Sequence, residues 1–495
     1  MTDPAVPERR LRYVIIGAGM AGLLAGLKLR ERGETDFVIY EKGSSVGGTW
    51  RENTYPGLTC DVPAHSYTYS FAPNPDWSAY FAPGPEIRDY FEAIATTYAI
   101  RDHIRFETEV NAATWDGSRW QVETSHGADT ADILIAASGV LHHPRYPTIA
   151  GLDTFAGAQF HSARWDHTVP TAGERVGVIG NGSTGVQIVC ALSDSAAQVV
   201  QFQRTAQWIM PTAEQRYTEA ERRLFRADPS RIEEIRNGPE AKARRARFTA
   251  AIIDVDSPEL AEIQAVVEQN LEDSVRDPVL REKLRPDYRV ACKRLVFSAH
   301  YYDAVQKPSV TIETRAIDRV EPSGVRMVDG TFHELDVLVL ATGFKVDQFV
   351  RPMTLLGRDD ADIEDLWRES PRAFYAVTIP QFPNLFLLNG PTGPVGNFSL
   401  IDIAELQWAY IDQLIDLVRS GKAASVEPTM AALENYEARR GERAKRTVFA
   451  SGCNSWYLDK HGVPQVWPWS YGTFLEAMAA PRLDDYLLRE QAAAD

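Results

Sequence analysis

Two glycine-rich turns constrain the fold of this chain more than any other feature. Each turn follows a short apolar run rich in β-branched residues and precedes an apolar run with helical spacing. The first glycine of such a turn permits a tight bend, the second lets a pyrophosphate approach the backbone, and the third lets the helix pack on the strand. The pattern predicts two nucleotide-binding units, with turns formed by Gly17, Gly19 and Gly22 and by Gly180, Gly182, Ser183, Thr184 and Gly185.

The residue that ends the next strand differs between the two units. Glu41 lies nineteen residues after Gly22, and Arg204 lies nineteen residues after Gly185. A carboxylate at this place accepts a ribose hydroxyl, whereas a guanidinium suits a 2′-phosphate. We therefore expect the second unit to bind NADPH rather than NADH through Arg204, with Thr205 beside it. The alternative is an ordinary surface arginine.

Between the two units the chain carries the pattern F-x-G-x-x-x-H-x-x-x-W-D, formed by Phe155, Gly157, His161, Trp165 and Asp166. This pattern resembles the fingerprint of Baeyer–Villiger monooxygenases, the flavin- and NADPH-dependent enzymes that insert one oxygen atom beside a ketone carbonyl. Relatives that oxygenate nitrogen and sulfur carry an aromatic residue followed by Lys or Arg in place of Trp165 and Asp166. The i, i+4 spacing of His161 and Trp165 predicts one face of a helical turn directed at an interdomain cleft. The alternative is a core histidine beside a packed indole.

A second stretch, from Gly47 to Asp61, resembles another motif of the same family, G-G-x-W followed by Y-P-G and an aspartate. Its glycines and proline predict a loop that wraps the flavin edge. The resemblance implies that the first unit holds FAD, in contact with Gly48, Thr49 and Trp50. It also implies that Asp61 lies near the flavin and pairs with the active-site arginine. For Asp61, a loop cap or an Asx turn is the alternative.

The pair Lys293-Arg294 resembles the family's segment in which an arginine reaches the flavin and the preceding lysine helps to hold the cofactor phosphate. A guanidinium suits this chemistry because it stays charged and donates several hydrogen bonds to a peroxide or a developing oxyanion. Arg294 is therefore the expected catalytic residue, together with Asp61. Near the end of the chain, Asn454 to Tyr457 resembles the segment whose tryptophan contacts the nicotinamide cofactor, which implies this role for Trp456.

The resemblance implies a reaction of FAD, NADPH, dioxygen and a small-molecule ketone that gives an ester or lactone through a flavin peroxide. Arg294 and Asp61 would stabilise anionic oxygen, and His161 would couple hinge movement to NADPH binding. Three alternatives stay open: a flavin monooxygenase that oxygenates sulfur or nitrogen, an NADPH oxidase or reductase, and a non-catalytic nucleotide-binding sensor. Trp165 and Asp166 argue against the first, and the Asp61 and Arg294 pair is hard to explain for the second.

The order of the motifs predicts an α/β protein with two Rossmann-like dinucleotide-binding domains, for FAD and NADPH, and a helical insertion. An apolar run from Glu334 to Gly343 is expected to return the chain to the FAD sheet. The predicted boundaries are 1–143 and 335–495 for the FAD domain, 144–170 for a linker with the fingerprint, 171–211 and 291–334 for the NADPH domain, and 212–290 for the helical insertion.

Composition narrows the partners and the metals. The 52 basic and 68 acidic residues give a net charge of -16, which argues against nucleic acid or an anionic membrane as the main partner. The four cysteines, at 60, 190, 292 and 453, form no C-x-x-C pair, so no metal site is predicted and a dithiol flavin reductase is disfavoured. This cysteine usage, together with the lack of a recognisable targeting segment, predicts a cytoplasmic enzyme.

Overall fold

Two parallel five-stranded sheets organise residues 10–396 and 398–490, the part of the chain that this computed structural model describes. Smaller sheets and helices surround them. The strands in chain order are β1 (Tyr13–Ile16), β2 (Phe37–Tyr40), β3 (Ile104–Arg105), β4 (Val110–Trp115), β5 (Trp120–Thr124), β6 (Gly127–Ala131), β7 (Ile133–Ala136), β8 (Ala158–His161), β9 (Arg175–Ile179), β10 (Gln198–Phe202), β11 (Ile209–Met210), β12 (Val296–Phe297), β13 (Val310–Glu313), β14 (Ile317–Glu321), β15 (Gly324–Met327), β16 (Phe332–Glu334), β17 (Val337–Leu340), β18 (Thr354–Leu356), β19 (Leu385–Leu387), β20 (Ser425–Pro428) and β21 (Tyr486–Arg489). The helices are α1 (Met20–Glu31), α2 (Thr49–Glu52), α3 (Gly84–Thr97), α4 (Ser183–Leu192), α5 (Glu219–Ala227), α6 (Ser230–Asn237), α7 (Pro239–Ile253), α8 (Pro258–Ser274), α9 (Pro278–Lys283), α10 (Tyr301–Ala304), α11 (Ile363–Leu366), α12 (Leu400–Arg419), α13 (Met430–Ala444) and α14 (Tyr471–Ala479).

The first sheet carries the first glycine turn. Its strand order is β19-β7-β1-β2-β3, and all neighbouring strands run parallel. Tyr13 and Ile15 of β1 share a buried core with α1 and α12, whereas Val14 shares a second core with the sheet β18-β4-β5-β6. Because successive side chains point to opposite faces and both faces are covered, β1 and β7 are continuous apolar runs.

The second sheet carries the second glycine turn and has the order β13-β10-β9-β17-β8, again parallel throughout. Strand β17 corrects one prediction, since its apolar run is expected in the first sheet. Instead Leu340 of β17 lies beside Ile179 of β9 and His161 of β8. An apolar run shows that a strand is buried on both faces, but it does not specify which sheet the strand joins. The chain re-enters the first sheet only at β19, so the second unit extends beyond residue 334.

The stretch 212–290 contains five helices, α5 to α9. Phe225 of α5 and Ile232 of α6 belong to the core of the first sheet, whereas Leu260 and Ile263 of α8 belong to the core of the second. These helices therefore bridge the two units. The predicted fold class, two Rossmann-like units with a helical insertion, is confirmed. Within the described ranges, no helix combines the length and the apolar character needed to cross a membrane.

Candidate active site

The first glycine turn joins β1 to α1 and leaves the start of the helix open. Gly17 has a φ of 98°, and a Cβ at this position would lie 2.9 Å from the carbonyl oxygen of Ala137. Gly19 is the N-cap of α1, and no side chain of the described residues caps the helix there. The first amides of α1 are therefore available to an anion, since a helix N-terminus carries unpaired N–H groups and the positive end of the helix dipole.

The second glycine turn repeats this geometry between β9 and α4. Gly180 has a φ of 118°, and a Cβ there would lie 2.2 Å from the carbonyl oxygen of Ala341. Gly182 is the N-cap of α4, again without a side-chain cap from the described part of the chain, and Ser183 is the first residue of the helix. The side chain of Asn181 donates through Nδ2 to Gln203 Oε1 at 2.9 Å and to the carbonyl of Thr205 at 2.7 Å. These two hydrogen bonds connect the turn to the segment that follows β10, which includes Arg204.

Glu41 lies immediately after β2, at the edge of the sheet where the first turn opens. The carboxylate is buried and accepts hydrogen bonds from the amides of Ala18 at 2.8 Å and Gly43 at 2.7 Å. It also accepts one from the Arg51 guanidinium at 2.8 Å. A buried carboxylate held in this way suits a ribose hydroxyl. Arg51 directly follows Trp50 of the loop motif, but no motif of the sequence points to this role for it.

Arg204 and Lys293 form a cationic group beside the second turn. Arg204 is exposed, and the Lys293 amine lies 4.4 Å from the centre of the Tyr288 ring. Burial lowers the pKa of Lys293, and the charge of Arg204 lowers it further, although Asp287 acts in the opposite direction. Two neighbouring cations repel each other, and a bound phosphate dianion would offset this repulsion.

Asp61 and Arg294 form a two-point ion pair although 233 residues separate them in the sequence. The guanidinium Nε donates to Asp61 Oδ2 at 2.9 Å, and Nη2 donates to Oδ1 at 2.6 Å. The charge of Asp61 is the largest cause of the raised pKa of Arg294, against the opposing effect of burial. The Arg294 side chain is 35% exposed and that of Asp61 21%, so a reactant can reach the charged groups. The pair therefore holds the Arg294 guanidinium as a permanently charged donor at a partly exposed position.

The loop between Trp50 and Asp61 docks on the second unit. Trp50 Nε1 donates to the Tyr67 hydroxyl at 3.1 Å, which fixes the start of the loop. The Tyr55 hydroxyl donates to Gln187 Oε1 of α4 at 2.9 Å and accepts from the Thr184 hydroxyl at 3.2 Å. Gln187 in turn donates to the carbonyl of Thr59 at 3.1 Å. The loop that delivers Asp61 is thus held by the helix that follows the second glycine turn.

The fingerprint does not form the predicted helical turn. His161 ends β8, and residues 162–164 form a single 3-10 turn that the His161 ring caps by accepting the Ala163 amide at Nδ1, 3.1 Å away. Nε2 therefore carries the proton and donates to the Gly343 carbonyl at 3.0 Å. Trp165 instead packs edge-on against Phe160, with ring centres 4.9 Å apart. The His161 and Trp165 side chains therefore face different neighbours. They do not share one face of an α-helical turn, because His161 caps the 3-10 turn and Trp165 packs on Phe160 of β8.

The other fingerprint residues have local roles in the fold. Burial lowers the pKa of His161 to about 4, so the ring is neutral near pH 7. A Cβ at Gly157 would lie 2.3 Å from the carbonyl of Asp336, which explains the glycine. Phe155 packs on a small core beneath the second sheet. Asp166 Oδ1 accepts from the amide and the hydroxyl of Thr168, at 2.9 and 2.6 Å.

A chain of ion pairs connects the fingerprint to the first unit. Arg164 lies between His161 and Trp165 and bonds Glu52 at 2.6 Å, and Glu52 bonds Arg51 at 2.6 Å. Burial acts to raise the pKa of Glu52, but the two arginines outweigh it and lower the pKa. The neighbouring His167 ring bonds the Thr54 hydroxyl at 2.8 Å. The connector is therefore attached to the loop that carries Trp50.

Cys292 and Cys453 form a disulfide that the scattered spacing of the cysteines did not reveal. Both are buried, and the bond links the segment of Lys293 and Arg294 to the segment of Trp456. Trp456 is 44% exposed, and its ring lies on that of Tyr457 with centres 4.0 Å apart. Disulfides are uncommon in a reducing cytoplasm, so the cytoplasmic location stays a prediction. Across the described residues, no group of three or more His, Cys, Asp or Glu side chains could hold a metal ion.

Known proteins are similar to this chain in sequence and in fold. Residues 14–258 match a family model described as pyridine nucleotide-disulphide oxidoreductase. The chain is 40% identical to a Baeyer–Villiger monooxygenase of Streptomyces coelicolor, over 100% of this chain and 96% of that protein. It superposes with a TM-score of 0.86 on cyclohexanone monooxygenase from Rhodococcus bound to NADP+, at 28% identity over 98% of this chain and 100% of the other. The complex of OTEMO with FAD and NADP gives a TM-score of 0.87 at 26% identity, over 98% and 100% of the two chains.

Two dinucleotide-binding sheets, linked by a connector and joined across an Asp–Arg ion pair, define a flavin-dependent oxidoreductase that uses a pyridine nucleotide. The identity to full-length relatives narrows this class. The chain belongs to the Baeyer–Villiger monooxygenase family. This confirms the family and the enzyme class that the fingerprint, the loop motif and the Lys293-Arg294 pair indicated, and it sets aside the non-catalytic sensor.

Proposed function

We propose that this enzyme converts a ketone to an ester or lactone at the Asp61–Arg294 pair, with FAD on the first glycine turn and NADPH on the second. The observation that carries the proposal is the two-point ion pair, because it joins the loop beside the first turn to the segment beside the second. A fixed guanidinium at this place is suited to anionic oxygen chemistry.

The residues present fit both cofactors. The uncapped starts of α1 and α4 suit two pyrophosphates, and the buried Glu41 suits a ribose hydroxyl. Bound FAD and NADPH would supply reducing equivalents and the activation of dioxygen. Gly48, Thr49 and Trp50 would line the flavin edge, and Trp456 would face the nicotinamide cofactor.

Arg294 would donate hydrogen bonds to the negative charge that develops on oxygen during attack on the ketone carbonyl. Asp61 would hold one edge of the guanidinium, because its two oxygens accept hydrogen bonds from Nε and Nη2 and leave the other N–H groups for the reacting oxygen. The carboxylate also keeps the pKa of Arg294 above its ordinary value, so the positive charge is permanent at every working pH. His161 would serve the movement of the connector rather than the reacting atoms, since its ring is committed to the backbone.

Replacing Arg204 by alanine should raise the KM for NADPH by roughly ten- to a hundredfold, because a hydrogen-bonded charge pair contributes about 1.5–3 kcal/mol. The KM for NADH should change little, because NADH lacks the 2′-phosphate. Steady-state rates with both nucleotides measure the effect, and Arg216→Ala, which removes an exposed arginine paired with Glu214, is the control. Equal losses with NADPH and NADH would contradict the assignment.

The reaction itself is tested by supplying the FAD-loaded enzyme with NADPH, labelled dioxygen and a panel of cyclic, linear and aryl ketones together with a sulfide. Mass spectrometry should find one labelled oxygen atom in an ester or lactone. A labelled sulfoxide as the only product would move the enzyme to heteroatom oxygenation. Oxidation of NADPH that yields hydrogen peroxide with every ketone would favour an oxidase instead.

A further inference from the structure

We propose that Tyr457 is a positioning residue for Arg294 and that the Cys292–Cys453 disulfide fixes Tyr457 at this place. The inference rests on the proposed role of Arg294. The proposal adds a third side chain to the Asp61–Arg294 pair. This side chain lies outside the two glycine turns, the fingerprint and the loop motif. In the sequence, Tyr457 directly follows Trp456.

Tyr457 is a buried residue whose ring is held on several sides. It is 2% exposed, and its ring centre lies 4.4 Å from that of Phe449 and 4.0 Å from that of Trp456. A methyl group placed on Gly396 would lie 3.1 Å from the Tyr457 hydroxyl oxygen. Its backbone is also tied, since the Tyr457 carbonyl accepts the Gln465 amide at 2.7 Å. The hydroxyl therefore has one fixed position.

That hydroxyl lies next to the Arg294 guanidinium, since it acts to raise the pKa of Arg294 while the guanidinium acts to lower that of Tyr457. Burial raises the pKa of Tyr457, so the hydroxyl keeps its proton and offers its oxygen as an acceptor, although the charge of Arg294 acts to lower that pKa. Asp61 alone leaves the guanidinium free to tilt about the line that joins the two carboxylate oxygens. A second acceptor from another segment removes this freedom and directs the remaining N–H groups to one side.

The disulfide gives this arrangement a covalent basis. Cys292 lies two residues before Arg294, and Cys453 lies four residues before Tyr457. The Cα atoms of the two cysteines are 6.1 Å apart although 161 residues separate them in the sequence. Cys292, Cys453 and Tyr457 share one buried core. The disulfide therefore fixes the distance between the segment of Arg294 and the segment of Tyr457, close to both side chains.

Tyr457→Phe tests the positioning role, because it keeps the ring and removes only the hydroxyl. The ester formed per NADPH oxidised should fall roughly tenfold, the size expected for one hydrogen bond to a charged group, with hydrogen peroxide making up the difference. Flavin content and the melting temperature should match those of the unaltered enzyme. Tyr302→Phe, which removes a hydroxyl from a buried tyrosine of the same core, is the matched control and should keep the ester yield.

A crystal structure of Tyr457→Phe supplies a readout that does not depend on activity. The atoms of the Arg294 guanidinium should have higher atomic displacement parameters than in the unaltered protein and in Tyr302→Phe. An ordered guanidinium with an unchanged ester yield would overturn the proposal. If the unaltered enzyme makes no ester from any ketone, the proposed function fails, whereas the order of Arg294 still decides the role of Tyr457.

The double variant Cys292→Ala/Cys453→Ala tests the disulfide. Thiol titration of the denatured proteins should find two unreactive cysteines in the unaltered chain and none in the variant. The variant should also lose ester yield, and the triple variant Cys292→Ala/Cys453→Ala/Tyr457→Phe should lose no more than Tyr457→Phe alone. Cys190→Ala, which leaves the bond intact, is the control. An additive loss in the triple variant, or a full ester yield in the double variant, would separate the disulfide from Tyr457.

Discussion

Replacing Arg294 by alanine should abolish ester formation while leaving FAD bound. The guanidinium is the permanent cation of the Asp61–Arg294 pair, and preorganised donors of this kind contribute about a hundred- to a thousandfold in rate. FAD binding should persist because Glu41 and the start of α1 lie on another segment. The measurement is labelled oxygen in the product together with the visible flavin spectrum of the purified variant. NADPH oxidation should continue and end in hydrogen peroxide.

Two further substitutions separate charge from geometry at this position. Arg294→Lys keeps the charge but cannot form the two-point contact with Asp61, so we expect it to recover only a small part of the ester yield. Arg289→Ala removes an exposed arginine five residues earlier whose guanidinium donates to the Val255 carbonyl, and it should leave the yield unchanged. Ester formation at the normal rate in Arg294→Ala would remove this residue from its assigned role.

Replacing Asp61 by asparagine should lower the rate of ester formation by roughly thirtyfold, which corresponds to about 2 kcal/mol for the loss of a charged hydrogen-bond acceptor. The amide keeps the shape of the carboxylate but turns an N–H group toward one guanidinium N–H, so one of the two hydrogen bonds is lost. Both side chains are partly exposed, and water therefore limits the loss. Product analysis at saturating ketone measures the effect.

The Asp61→Asn/Arg294→Ala double variant tests whether the two residues act as a unit. If Asp61 works only by holding Arg294, the double variant should lose no more activity than Arg294→Ala alone. Additive losses would mean that Asp61 contacts the reacting groups independently. Asp76→Asn is a useful control because Asp76 pairs with Arg226 at an exposed position, and it should have no effect on ester formation.

The parts of the fold that could be predicted were those with a local signal. Each glycine turn lies between an apolar strand and an apolar helix, so its position and its unit could be read from a short window of sequence. The assignment of β17 was wrong, because an apolar strand fits either parallel sheet equally well. The helical turn predicted for His161 and Trp165 was also wrong, because the spacing of two residues does not reveal that His161 caps its own turn.

The site shows the same division between local and distant information. Glu41 and Arg204 were placed by their distance from a glycine turn, whereas the pairing of Asp61 with Arg294 depended on the family resemblance. The Cys292–Cys453 bond spans 161 residues and follows from the way the segments pack, which no spacing rule encodes. Tyr457 had a usable signal, since it directly follows Trp456 in a segment that resembles a cofactor-contacting motif of the family.

The loop between Trp50 and Asp61 is held by α4, and this contact between the two units constrains how chimeric enzymes can be built. Gln187 and Thr184 belong to the second unit, yet they hold the loop that ends in Asp61. A chimera that received its second unit from another enzyme would exchange these two residues, and the hydrogen bonds that they form with the loop, along with the nucleotide turn. Such a chimera should therefore keep Tyr55, Thr184 and Gln187 together. The introduced second unit can then still hold the loop that ends in Asp61.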